Sequence, residues 1–199
     1  RWIELLKAPK RSTGGGSATG QTSPAGNQDD DSHHRACVAL VTLFIHSPGK
    51  KSSLITEHGI IALMEVLGQD MEADIYSSSK LKVQVAAMIL INQVTRADPY
   101  FQEKLCLVGV LPLIVQLGIN AKTSPCKSSD ADDKVRVAMV GQLRAEVVRF
   151  VAEICRPDSS SLALQMFIAC QGLTVLTSFL TQEGLFVYPA SPAEAAAAA

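Results

Sequence analysis

The sequence predicts an all-α chain built as a solenoid, a row of repeated helical units, and three observations carry that prediction. The first is one phrase written three times: Ile55–Leu67 (ITEHGIIALMEVL), Leu105–Leu117 (LCLVGVLPLIVQL) and Ile168–Leu180 (IACQGLTVLTSFL). Each holds a glycine, Gly59, Gly109 or Gly172, with Ile55, Leu105 or Ile168 four residues before it. Leu63, Leu113 or Leu176 follows four residues after the glycine, and Leu67, Leu117 or Leu180 eight after. Those spacings put the leucines on one helical face. The glycine suits a chain that ends a short helix, turns sharply and starts the next. The second observation is composition: 47% hydrophobic but 5% aromatic, so Leu, Val, Ile and Ala carry the packing, as stacked helices require. The third is the interval between glycines, 50 and 63 residues. It exceeds the roughly 40–47 of a plain helical repeat, and the excess falls in polar loops, where a solenoid takes insertions.

The elements follow in order. Arg1–Lys7 (RWIELLK) sets Trp2, Leu5 and Leu6 at helical spacing and reads as the end of a preceding helix. Residues 8–34 hold Pro9, Gly14–Gly16, Pro24 and Asp29–Asp31. They have too little apolar surface to offset the entropy of ordering, so a disordered low-complexity insertion is expected. The repeated units are expected over 35–184, about three of them, and an irregular tail over 185–199. Arg35–His46 is apolar enough for a buried helix, which Ser47-Pro48-Gly49 stops. Ser53–Glu57 forms the short helix before Gly59, and Ile60–Leu67 the next. Gly68–Ser79 is a polar loop.

Lys80–Arg96 is apolar nearly all round, so it is expected at the centre. Asp98 as N-cap and Pro99 at the first helical position start the next helix, which runs to Val108, with Val110–Leu117 after Gly109. A second polar loop spans Gly118–Asp133. Lys134–Cys155 is amphipathic: Val140, Leu143, Val147, Val151 and Ile154 share one face, and Gln142, Glu146, Arg149 and Glu153 the opposite one. Gly141 marks a kink or a break there. Pro157 and Ser159–Ser161 stop the helix, and Leu162–Ala169 with Leu173–Leu180 complete the third unit.

Lys82–Gly118 resembles an armadillo repeat end to end, matching its pattern at Ala86, Leu90, Asn92, Gly109 and Pro112. The resemblance implies an armadillo/HEAT-like right-handed superhelix. In peptide-binding members a ladder of such Asn residues clamps an extended peptide. Here neither Leu43–Ile45 nor Phe150–Ile154 supplies the equivalent Asn, so Asn92 is read as a helix-end hydrogen-bonding residue. Ser161–Leu180 (SLALQMFIACQGLTVLTSFL) is similar to the C-terminal armadillo region of the MAP kinase kinase kinase epsilon family, which includes the fungal septation-initiation and mitotic-exit kinases. The core of that match is Leu164–Cys170 with Gly172. The resemblance implies a parent Ser/Thr kinase, ATP-dependent, with its catalytic domain outside this chain. It also implies a site at the spindle pole body, downstream of a Ras-like small GTPase.

Other features narrow the function. The net charge of −1 gives no basic field for nucleic acid. The longest apolar run, Val85–Ile91, is far short of the roughly 18 residues that span a bilayer. Five cysteines, Cys37, Cys106, Cys126, Cys155 and Cys170, lack a CxxC pair and read as reduced and mostly buried in a cytoplasmic protein. The chain begins without Met and ends in Ala195–Ala199, so it reads as a fragment of something larger. No Gly-rich loop with VAIK, no HRD and no DFG occurs in the sequence, and Gly49-Lys50-Lys51-Ser52 lacks the upstream Gly of a phosphate loop, Phe44 standing there. His33, His34 and Cys37 have no second ligand pair, and Asp29–Asp31 and Asp130–Asp133 lack the Gly and distal Glu of a calcium loop. No catalytic residue, cofactor or metal is therefore expected.

What remains is protein binding. The expected surface comprises Lys82, Gln84, Asn92, Gln93 and Arg96 with Gln142, Glu146, Arg149 and Glu153, all taken as exposed from helical phase. The expected partner is a Ras-like GTPase or a spindle-pole scaffold. A stand-alone adaptor without a kinase and a homodimerisation module are the alternatives. Ser23 and Ser124, each before a proline in a polar segment, are candidate phosphorylation sites.

Overall fold

The computed structural model describes residues 2–6, 25–68, 78–120 and 131–181. Every regular element among them is helical. A short α1 (Trp2–Leu6) comes first, followed by three units of like order. The first is α2 (Ala25–His46), a 3₁₀ turn (Pro48–Lys51) running into α3 (Ser52–Thr56), then α4 (Gly59–Gly68). The second is α5 (Ser78–Thr95), α6 (Pro99–Val108) and α7 (Val110–Asn120). The third is α8 (Ala131–Ile154), α9 (Ser161–Ala169) and α10 (Gly172–Thr181). The long helices lie side by side, α5 between α2 and α8; α4, α7 and α10 form a second row, and α6 packs on α9. α1 rests on α2 and α4 through buried Ile3 and Leu6.

The apolar belt of Lys80–Arg96 places α5 at the centre. Met88, Leu90, Ile91 and Val94 are each 0% exposed, and burial of such a side chain contributes about 1.5–3 kcal/mol. Asp98 caps α6, its Oδ1 accepting from the Phe101 amide at 3.1 Å, with Pro99 in the first turn. The five apolar residues expected on the inner face of α8 are all buried.

Four expectations need correction. The insertion is helical at its end: α2 begins at Ala25, and Asp30 and His33 are buried, Asp30 accepting a 2.9 Å hydrogen bond from Ser79 Oγ. Arg35–His46 is not buried throughout, for Val38 and Ile45 are 47% and 54% exposed. Gly141 marks no break, since α8 runs unbroken from Ala131 to Ile154. Cys155 is exposed and Cys170 half-buried; only Cys37 and Cys106 are buried among the four described cysteines.

The glycines also differ from one another. At the corner before the last helix of each unit, the residue in left-handed conformation is His58 (φ 57°) in the first unit, Gly109 (φ 94°) in the second and Gln171 (φ 62°) in the third. All three glycines stand at a corner between helices, but Gly109 alone supplies the positive φ. α6 and α7 meet there at 82°. Gly59 and Gly172 stand one residue later and are small for a packing reason. A Cβ at Gly59 would lie 2.7 Å from Leu54 Cδ1, and one at Gly172 2.2 Å from Phe167 Cε2. Relative to the sequence alignment, the second unit is therefore shifted by one residue: Ile61 and Pro112 hold the same exposed position, and Leu63 and Ile114 the same buried one.

Candidate functional site

The row α2–α5–α8 carries a groove of about 310 Å³. α2 contributes His34, Val38, Val41 and Thr42; α5 contributes Lys82, Val85, Ala86 and Ile89; α8 contributes Met139 and Gln142. On α2 and α5 these recur at three- and four-residue steps, so each set forms one stripe. The floor is aliphatic. Thr42 spends its hydroxyl on the Val38 carbonyl of its own helix, at 3.0 Å, leaving His34, Lys82 and Gln142 as the polar groups of the rim.

Of the sequence-assigned residues, the groove gathers Lys82 and Gln142. Three more meet where α5 crosses α8. Asn92 Nδ2 donates to Glu146 Oε2 at 2.7 Å and to the Glu146 carbonyl at 3.0 Å, and Arg149 Nη1 donates to Glu146 Oε1 at 2.7 Å. Glu146 is buried rather than exposed, its side chain 7% accessible against 66% for Arg149. A carboxylate so desolvated needs these charge-assisted bonds. Asn92 thus ties two helices together, as a helix-end hydrogen-bonding residue would, with its Oδ1 buried and unbonded. Glu153 is half-buried; its Oε1 accepts from the Ala97 amide at 2.6 Å and it pairs with Arg156.

Gln84 is buried as well, 2% exposed, and lies away from the groove beside a cavity of about 10 Å³ shared with Asp30, Lys80 and Val83. The reason is geometric: Gln84 follows Lys82 by two positions, which turns it to another side of α5. Gln93 is half-buried and Arg96 exposed. Ser23 and Ser124 lie outside the described residues.

Sequence reasoning missed the lining from α2, the apolar Val85, Ala86 and Ile89 of α5, and Met139. The run ACVALVTLFI is apolar on every side, so no periodicity separates exposed Val38 from buried Cys37 and Leu40. It also missed Gln102, 1% exposed, whose Nε2 donates to the Thr95 carbonyl and whose Oε1 accepts from the Ser160 amide. That side chain joins the second unit to the third. Burial pushes the Cys37 thiol up to about 12 and, with Cys170 and Glu103 nearby, the Cys106 thiol to the same value, so neither is a ready nucleophile.

Fold and groove together define an all-α protein of three long-helix units with an open apolar furrow across the long helices. No family model and no solved structure matches the chain. Among curated proteins it is 33% identical over 154 residues, 77% of its length, to MAP3K epsilon protein kinase 1 of Brassica napus. It is 29% identical over 157 residues to the cytokinesis protein sepH of Aspergillus terreus, and 27% identical over 133 to cell division control protein 7 of Schizosaccharomyces pombe. The chain spans about a tenth of each of these relatives.

Proposed function

We propose that this chain is the non-catalytic, armadillo-like region of a Ser/Thr protein kinase of the septation-initiation type, and that its α2–α5–α8 face docks a protein partner. One observation carries the reading: an all-helical stretch matches a tenth of relatives named for kinase activity, cytokinesis or cell division. The side-by-side rows of three units support the solenoid, whose extended surface suits a protein rather than a small molecule. The partner is a Ras-like small GTPase or a spindle-pole scaffold, and docking localises and regulates the kinase in the cytoplasm and at the spindle pole.

The test is binding of the purified chain to Ras-like GTPases loaded with GTP or GDP, before and after Val38→Glu and Lys82→Glu. Both change exposed side chains. Affinity should fall about tenfold or more in each, the scale of an interface anchor. Unchanged affinity in both variants, or no binding by any such GTPase or spindle-pole protein, overturns the reading. Arg149 is a poorer probe, because reversing it would leave Glu146 buried beside a like charge.

A further inference from the structure

Building on that docking reading, we propose that the groove takes an amphipathic helix of the partner with carboxylates along the flank that meets α5. Two features of the face select this occupant.

The first concerns backbone hydrogen bonds. A peptide bound in extended form exposes N–H and C=O groups that must be satisfied on leaving water. This groove offers no row of free amide side chains to do so. Asn92, the residue placed to begin one, has both donor bonds on Glu146, and Thr42 is bonded within its own helix. The floor from Val38 to Ile89 is aliphatic. A helix meets its own backbone demand internally and presents only side chains, so it enters such a furrow without orphaned groups.

The second is charge. Lys82 and Arg96 are exposed on the α5 side and form no ion pair among the described residues. Arg149 on α8 is exposed as well, but its charge is paired with Glu146. Two carboxylates of α8, Glu146 and Glu153, turn inward, at 7% and 17% side-chain exposure. On α2, exposed Asp31 and Arg35 stand four residues apart and offset each other. The α5 flank is thus cationic, and complementarity there fixes the orientation of a helix bearing Asp or Glu on one edge.

The probe is a display library of random peptides of about 16 residues, enough for four turns of helix, selected on the 199-residue chain and counter-selected on Val38→Glu and Thr42→Glu. Both of those positions are exposed, and circular dichroism verifies that each variant is folded. Enriched sequences should carry apolar residues at i, i+3 or i+4 and i+7 with acidic residues beside them. A selected peptide should weaken about tenfold on Lys82→Glu and recover when its acidic residues become lysine. Enrichment of proline-containing or alternating apolar–polar sequences, enrichment of basic ones, or none at all overturns the proposal. If the protein partner is lost on Val38→Glu while the library yields only extended or basic sequences, docking stands and the helical occupant falls. If Val38→Glu affects neither, both fall.

Discussion

A methyl group added at Gly172 would lie 2.2 Å from Cε2 and 2.3 Å from Cζ of Phe167, where carbon atoms pack at about 3.5–4.0 Å. Phe167 is 1% exposed, so the ring cannot swing into solvent. Gly172→Ala therefore forces α9 and α10 apart or drives the ring off its rotamer, costing about 1–3 kcal/mol. Alanine's smaller unfolded-state entropy returns only about 0.4–1 kcal/mol where the site can accept it. For a chain of this size the cost lowers the melting temperature by roughly 2–12 °C. Gly141→Ala is the matched control. Nothing lies within 4 Å of its Cβ position and the residue sits inside an unbroken helix, so the same change should stabilise by about 1 kcal/mol, raising the melting temperature by roughly 2–4 °C. Thermal and urea unfolding followed by circular dichroism reads both. A neutral Gly172→Ala, or a destabilising Gly141→Ala, refutes the packing argument. Phe167→Leu should shrink the penalty of Gly172→Ala, a non-additivity that a double-mutant cycle detects.

Three further outcomes follow from named contacts. Gly109→Ala should cost about 1–2 kcal/mol through its left-handed φ alone, and Gly109→Asn less, because Asn tolerates that region; at Gly59, where Leu54 crowds the Cβ, Asn should cost more than Ala. Gln102→Leu should cost about 1–3 kcal/mol by leaving the buried Ser160 amide unpaired, and hydrogen exchange at Ser160 should accelerate. Among the described cysteines, thiol reagents at mildly alkaline pH should label Cys155 first and reach Cys37 and Cys106 only through unfolding. The Cys37 thiol is raised from 9.0 to about 12. Its contribution is whole below pH 9 and is lost toward pH 12, at about 1.4 kcal/mol per pH unit, a slope that Cys37→Ala should flatten.

The helices were legible wherever periodicity was strong. The belt of Lys80–Arg96, the Asp98-Pro99 cap and the five inner residues of α8 need only helical phase, and the structure places them as that phase requires. The register of the corners was not legible. The buried stripe on α4 and α7 is wide enough that leucines four or five residues from the turn both fit it, so Leu113 matched Leu63 in sequence while Ile114 matches it in space. His58 and Gln171 carry a conformation that residue type alone would assign to the neighbouring glycine. At the candidate site, Lys82 and Gln142 followed from phase, and Gln84 could have been set apart by its two-residue offset. Glu146 shares the stripe of Gln142 and Arg149, and its burial depends on Asn92 from another helix, a tertiary fact that one helix's pattern does not contain.

The most direct test of the proposed docking is Val38→Glu introduced into the full-length protein, taken as the kinase proposed above, as a fluorescent fusion. The account predicts normal kinase activity of the purified protein together with loss of spindle-pole localisation and of timely septation. Normal localisation, or a fall in activity of the isolated enzyme comparable to the defect in cells, would contradict it.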